Sequence, residues 1–356
     1  MSSTVFSVEP KIALLIILCI SIFLIGCSRG NTQKDLDFQG NANSDPLNIG
    51  IVTDIGGITD HSFNQSAWEG LQKAQNDLGI KANYIETKDT NDYIKNLETF
   101  SDRKNDLVWG IGFMMADPIT EEAKKHQNQR YAIIDNTYGD ETPSNVLGVT
   151  FKENESSFLV GYIAGKMTKT NQVGFIGGIE SPVIERFESG YMAGVKYANP
   201  NCQIISEYAN SFSDPVKGKE IATKMYNAGA DIIFHASGST GDGLIECAKE
   251  MNKYCIGVDS DQSISAPNNV ITSAMKRVDT AIYNTAKDLK EGKWNGGATI
   301  EYGLAEGGVD IAPTSDKLVP KDILNEVDNI KAQIISGNLK VPATKGEYNK
   351  FLTDKN

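Results

Sequence analysis

Residues Asn48–Gly70 read N-I-G-I-V-T-D-I-G-G-I-T-D-H-S-F-N-Q-S-A-W-E-G. Ile49 to Val52 is an apolar run dense in β-branched residues, which suits a buried strand. It ends at Thr53 and Asp54, followed by Gly56 and Gly57. A polar patch of Thr59, Asp60 and Ser62 comes next, and Ala67, Trp68, Leu71 and Ala74 then recur at helix spacing. Ser62 or Asp60 is placed to cap that helix. In a parallel α/β unit, ligands sit in the loop that leaves the strand's C-terminal edge. This loop offers a carboxylate (Asp54), a ring (Phe63) and an amide (Asn64), a set that suits a neutral, polar, flat ligand.

Before this strand, Lys11 precedes the apolar run Ile12–Ile25, which is short for a bilayer span and matches the core of a signal peptide. Its ending, Leu24-Ile25-Gly26-Cys27, looks like a bacterial lipobox with Cys27 as the acylated residue. Residues 1–26 therefore read as a lipoprotein signal peptide and 27–47 as a flexible tether rich in Asn, Gly, Asp, Ser and Gln. Attachment through two or more acyl chains would anchor the protein stably on the outer face of a cell membrane. Outside the signal and the lipid site only Cys202, Cys247 and Cys255 remain, an odd number that speaks against a disulfide framework. The net charge of −12, without a basic patch, counts against nucleic acid as a partner.

After the first helix, strands and helices alternate. Strands are expected at Ala82–Glu86, Leu107–Gly112, Arg130–Asp135 and Val146–Phe151, with a helix over Pro118–Gln129. The pattern then starts afresh. A helix over Glu155–Met167 leads to strands at Gln172–Gly178, Cys202–Tyr208, Asp231–Ser237, Tyr254–Asp259 and Val270–Met275, with helices between them. An amphipathic helix over Val278–Trp294, a stretch Glu301–Ala312 and a helix over Ile323–Ile335 close the chain. Two successive doubly wound α/β units of similar length imply two lobes with a cleft between them.

Candidate cleft residues all lie just past strand ends: Asp54, Phe63, Asn64, Met114 and Asp135 in the first unit, and Phe187, Phe212, Gly238, Asp259 and Asp261 in the second, with Lys276 beyond the last strand. Two rings from opposite lobes can sandwich a nucleobase, and a carboxylate can accept from a ribose diol or a base N–H. Plainer roles compete. The aspartates can be strand-end caps, Phe63 a core residue, and Phe212 a hydrophobic staple in S-F-S-D-P, while Phe187 is expected to pack inward. Catalysis finds little support. His61, His126 and His235 are far apart, His235 lies inside an apolar strand, and no metal-ligand spacing, phosphate loop or nucleophile elbow occurs. Neither a catalytic group, a cofactor nor a metal is expected, with His61 kept as a minor ligand candidate.

The chain resembles the basic membrane lipoprotein family of bacterial substrate-binding proteins, whose purine nucleoside receptors are its best understood branch. The matching segments are residues 52–70, V-G-F-I-G-G (173–178), E-R-F-E-S-G-Y-M-A-G (185–194), S-F-S-D-P (211–215), G-A-D-I-I-F-H-A-S-G (229–238), G-V-D-S-D-Q (257–262) and G-G-V-D-I-A-P (307–313). This resemblance implies a type I periplasmic-binding fold, two Rossmann-like lobes joined by three hinge crossings near Thr150, Lys276 and Tyr302. Lobe one would comprise 48–150 plus 277–301, and lobe two 151–276 plus 302–345. It also implies capture of a nucleoside (the inosine, adenosine and guanosine class) for an ABC permease and its ATPase. The base would stack between Phe63 and Phe212, with Asp54, Asn64 and Asp135 in lobe one and Gly238, Asp259 and Lys276 completing the site. Thr59-Asp60-His61 stands where the family usually writes a paired acidic stretch. A sugar receptor of the same fold, and a surface adhesin or structural lipoprotein, are the alternative readings.

Overall fold

Short runs of β-branched and aromatic residues, each punctuated by a polar loop, build two parallel-dominated sheets in the computed structural model, which describes residues 45–354. The signal segment, Cys27 and most of the proposed tether lie outside the described residues. The first sheet holds β1 (Asn48–Val52), β2 (Lys81–Ile85), β3 (Leu107–Ile111), β4 (Tyr131–Ile134), β5 (Val146–Phe151) and β11 (Ala298–Tyr302). The second holds β6 (Gln172–Gly177), β7 (Gln203–Tyr208), β8 (Ile232–Ala236), β9 (Tyr254–Asp259), β10 (Val270–Lys276) and β12 (Val309–Ile311). Their orders are β2-β1-β3-β4-β5-β11 and β7-β6-β8-β9-β10-β12, the same doubly wound pattern twice. All pairings are parallel except β10 with β12.

The helices are α1 (Phe63–Leu78), α2 (Tyr93–Asp102), α3 (Ala116–Lys125), α4 (Glu153–Met167), α5 (Pro182–Ala198), α6 (Pro215–Asn227), α7 (Thr240–Met251), α8 (Val278–Lys290), α9 (Lys321–Ile335) and α10 (Lys345–Thr353). The chain passes between the sheets three times: from β5 into α4, from β10 into α8, and from β11 to β12. This is the expected two-lobed architecture. Helix α8 packs on α1, and α9 on α4.

Differences from the sequence reading have local causes. The helix expected to reach Trp294 stops at Lys290, because Gly292 turns the chain in the left-handed region at φ 76°. Helix α3 ends at Lys125, four residues before Gln129. The stretch Glu301–Ala312, by contrast, divides at the crossing expected near Tyr302, with β11 ending in the first sheet and β12 joining the second. Helix α10 lies beyond the last helix expected from the sequence; Thr344 caps it by accepting from the Glu347 N–H.

The E-R-F-E-S-G-Y-M-A-G segment is a helix-packing device. A Cβ on Gly194 would lie 2.1 Å from the Phe158 carbonyl oxygen, and one on Gly161 would lie 2.2 Å from that of Tyr191. Only glycine lets α4 and α5 approach this closely. Since α4 begins directly after the first crossing, this contact fixes the crossing against the second lobe.

Candidate functional site

Ligands of doubly wound sheets collect where the strand order reverses. In the first sheet that point lies between β1 and β3, in the second between β6 and β8, and both open onto one cleft. Asp54, Phe63, Asn64, Phe113, Met114 and Asp135 line it from one side, and Phe212, Ser237, Gly238 and Asp259 from the other. The cleft holds about 560 Å³ of atom-free space, part of it open to solvent. Aromatic rings on both sides make it a slot.

The first loop is held by one carboxylate. Asp60 accepts from the backbone N–H groups of Ser62, Asn64 and Gln65, at 3.0, 2.9 and 3.0 Å. It thus satisfies the orphan donors of α1 that Ser62 leaves unpaired. Asn64 donates from its amide to Asp54 at 2.6 Å and to Asp60 at 2.8 Å, and accepts from the Asp54 N–H at 3.2 Å. Burial, together with the charge on Asp60, pushes the Asp54 carboxyl up to about 6 despite the hydrogen bonds from Gly56 and Asn64.

Freed from capping, the Ser62 hydroxyl donates to Asp259 across the cleft. The neighbouring His61 carbonyl accepts from Ser260 Oγ at 3.0 Å and from Gln262 Nε2 at 3.2 Å, and the His61 ring lies 3.2 Å from Asp242. Loop 60–62 of one sheet is thereby gripped by the other, so the lobes are closed. His61 adopts φ 54°, a strained setting for a non-glycine residue. Buried His235 holds the gripping amide: its Nε2 lies 2.9 Å from Gln262 Oε1, and burial lowers the imidazole to about 4. Asp259, also at positive φ (63°), is pushed up to about 7 by burial, which outweighs Lys276 and the Ser62 hydroxyl.

Aromatic rings define the slot. Phe212 lies on Gly178, where a Cβ would fall 2.2 Å from the ring, and Gly238 approaches the Phe212 carbonyl so closely that a Cβ would sit at 2.8 Å. Phe212 therefore is not a staple on α6; Asp214 caps that helix through the Lys217 N–H. Across the slot Phe113 meets Phe212 edge-on, with centroids 6.4 Å apart and planes at 76°. Phe63 lines the same cavity beside Gly112.

Lys276 is placed differently from the other candidates. It does not line the cleft but lies buried behind it, its ammonium 2.6 Å from both Asp135 oxygens and 2.9 Å from Glu153 Oε1. Burial pushes Asp135 up even against Lys276. For Glu153 burial works the same way, but Lys276 and Arg186 overcome it and hold that carboxyl below its usual range. Phe187 packs inward beneath this cluster, 5.7 Å from the ammonium. Asp261 turns away from the cleft to accept from Thr314 Oγ1 and the Ser263 N–H, and His61 faces Asp242 rather than the cavity.

Five participants lie outside the candidates the sequence offers for the cleft. Phe113 follows Gly112 at the end of β3 and had the same positional claim as Met114. Asp60 and Ser62 stood out only as alternative caps. Glu153 and Arg186 belong to helices whose apolar faces drew attention instead, and no local signal marks them.

A family model described as "ABC transporter substrate-binding protein PnrA-like" (Bmp) matches residues 48–345. The chain belongs to this family. Relatives over nearly its whole length include the CD4+ T-cell-stimulating antigen of Listeria monocytogenes, 41% identical over 93% of this chain and 97% of that one. Basic membrane protein A of Borreliella burgdorferi is 39% identical, covering 96% and 98%. The ABC transporter nucleoside-binding protein BmpA of Lactococcus lactis is 38% identical, covering 83% and 89%. Among solved structures, an ABC transporter solute-binding protein from Aeropyrum pernix superposes with TM-score 0.79 at 27% identity, covering 87% and 97%. As a Bmp-family substrate-binding protein, the chain works on the extracytoplasmic side for an ABC transporter, whose permease and ATPase are its partners.

Proposed function

We propose that this protein captures purine nucleosides in the interlobe cleft and delivers them to its importer, held at the membrane by a lipid on Cys27. The observation that carries the reading is the slot itself: rings from both sides (Phe63 and Phe113 against Phe212) flanked by buried carboxylates, Asp54, Asp135 and Asp259. A nucleobase is flat and stacks, at about 1–3 kcal/mol per face. Its N–H groups and the ribose hydroxyls are donors, which is what buried carboxylates lack. The relative named as nucleoside-binding supports the same assignment. Nothing in the reading calls for turnover; the task is binding and release, with the lobes closing about the three crossings.

The test is the melting temperature of residues 48–356 after unfolding and refolding to strip endogenous ligand, with and without inosine, adenosine, guanosine, cytidine and ribose. A rise with purine nucleosides that is lost in Phe63→Ala and Asp259→Ala supports the reading. A flat response to every nucleoside refutes it. Labelling with radioactive palmitate, abolished by Cys27→Ser, tests the anchor.

A further inference from the structure

Behind the cleft, four charged side chains from four segments meet in a buried group. Lys276 ends β10, Asp135 follows β4, Glu153 opens α4, and Arg186 lies on α5. Glu153 has no exposed surface, and its oxygens are divided. Oε1 lies 2.9 Å from the Lys276 ammonium, while Oε2 accepts from Arg186 Nε at 2.5 Å. Three rings surround the same ammonium, Phe63, Phe151 and Phe187, with centroids at 5.0, 5.2 and 5.7 Å. Two cations therefore balance two anions, and Phe63 and Asp135, which face the cavity, rest on that balance.

We propose that Glu153, backed by Arg186, is a positioning residue of the cleft: it aims the Lys276 ammonium at Asp135 and Phe63 and ties them to the hinge. The inference rests on the nucleoside reading of the cavity. Lysine carries its charge on a flexible stem with a large rotamer entropy, so a single contact to Asp135 would not define its place. Glu153 supplies the second. Glu153 follows the first crossing directly and Lys276 precedes the second, so their contact clamps two crossings together. Asp135 belongs to the opposite sheet, so the Lys276–Asp135 contact spans the lobes. When the lobes part, Lys276 keeps Glu153 as its partner and is not left as a lone buried cation, which would be strongly unfavourable.

A charge role has a signature that a packing role lacks. The groups facing Lys276 are Asp135, Glu153 and Asp259; those facing Asp259 are Lys276, Asp60, Asp135 and the Ser62 hydroxyl; those facing Arg186 are Glu153, Asp135 and Glu301. Glu153→Gln keeps the shape and removes one negative charge, leaving the group with excess positive charge that favours ionised Asp135 and Asp259.

Inosine affinity is measured by calorimetry from pH 5 to 9 for the wild type, Glu153→Gln, Arg186→Gln and the double variant. In the wild type, affinity falls on acidification as the acceptor carboxylates protonate. The acid limb is expected to move down by about 0.5–1 pH unit in Glu153→Gln, to move up in Arg186→Gln, and to return toward the wild type in the double variant. Weaker binding at every pH with an unmoved limb would make Glu153 a packing residue and overturn the proposal, as would an unchanged profile. If Glu153→Gln does not fold, the upward shift in Arg186→Gln decides the matter alone. No inosine binding by the wild type at any pH would refute the nucleoside reading and this proposal with it.

Discussion

Asp259→Asn should make the empty protein more stable while disabling it. The Asp259 carboxyl is raised from 3.8 to about 7 in the closed cleft, chiefly by burial. At about 1.4 kcal/mol per pH unit, that difference means ionised Asp259 costs the closed fold about 4 kcal/mol above pH 7. The sign follows from the direction of the shift. A carboxyl raised on folding contributes stability that is fully present below its unfolded value near 4 and is lost as pH rises through about 7. Asparagine keeps an oxygen to accept from Ser62 and carries no charge, so the penalty vanishes at little loss of hydrogen bonding. Opening the lobes also relieves the wild type by hydrating Asp259, which makes about 4 kcal/mol a ceiling and about 1–3 kcal/mol the expected gain. Urea unfolding of ligand-free protein at pH 8 and pH 5 reads it directly. The variant should gain at pH 8, and the gap should shrink to less than half by pH 5 and close only near pH 4, while inosine binding is lost. Equal midpoints at pH 8, or a gap that does not change with pH, would refute the reasoning.

Three further outcomes follow from the same geometry. Ser260→Ala removes one bond to the His61 carbonyl outside the cavity; at about 1 kcal/mol it should speed nucleoside dissociation about fivefold in stopped-flow traces and leave association nearly unchanged. Phe113→Ala should weaken purine nucleosides by about 1–3 kcal/mol in calorimetry, with little effect on any binding of ribose alone. Gly194→Ala drives a Cβ to 2.1 Å from the Phe158 carbonyl, so α4 and α5 must separate; a loss of about 2–3 kcal/mol in urea melts is expected.

The alternation of apolar runs and polar loops was enough to read the two sheets, because each strand is short, β-branched and ends in a loop with its own polar residues. Where one stretch served two sheets, as in Glu301–Ala312, periodicity could not say which half went where; only the β5 and β10 edges decide that. In the candidate site, Asp54, Asn64, Asp135, Gly238 and Asp259 are legible because position after a strand end is itself a signal. Phe212 was ambiguous by local rules and needed the family resemblance; in the structure, contact with Gly178, far away in sequence, fixes its ring. Lys276 was read as a cleft group, and its burial behind Asp135 depends on Glu153, a residue more than a hundred positions earlier. Such pairings leave no trace in local spacing.

The cleft is built from groups that make an empty closed state uncomfortable. Asp54 and Asp259 are both raised by burial, and Asp135 is raised even with Lys276 against it. Each carboxylate accepts fewer hydrogen bonds than it can hold, and closure removes the water that would supply the rest. Against this, the grip on loop 60–62 and the packing of Phe113 on Phe212 favour closure. Neither side of the balance needs to win by much. A ligand with flat faces and outward N–H and O–H groups feeds the carboxylates the donors they lack, stacks on the rings, and tips the equilibrium toward the closed form. Because the same hydrogen bonds favour ionised carboxylates, capture and proton release are linked. Acidification should therefore loosen the complex through the very groups that give it specificity.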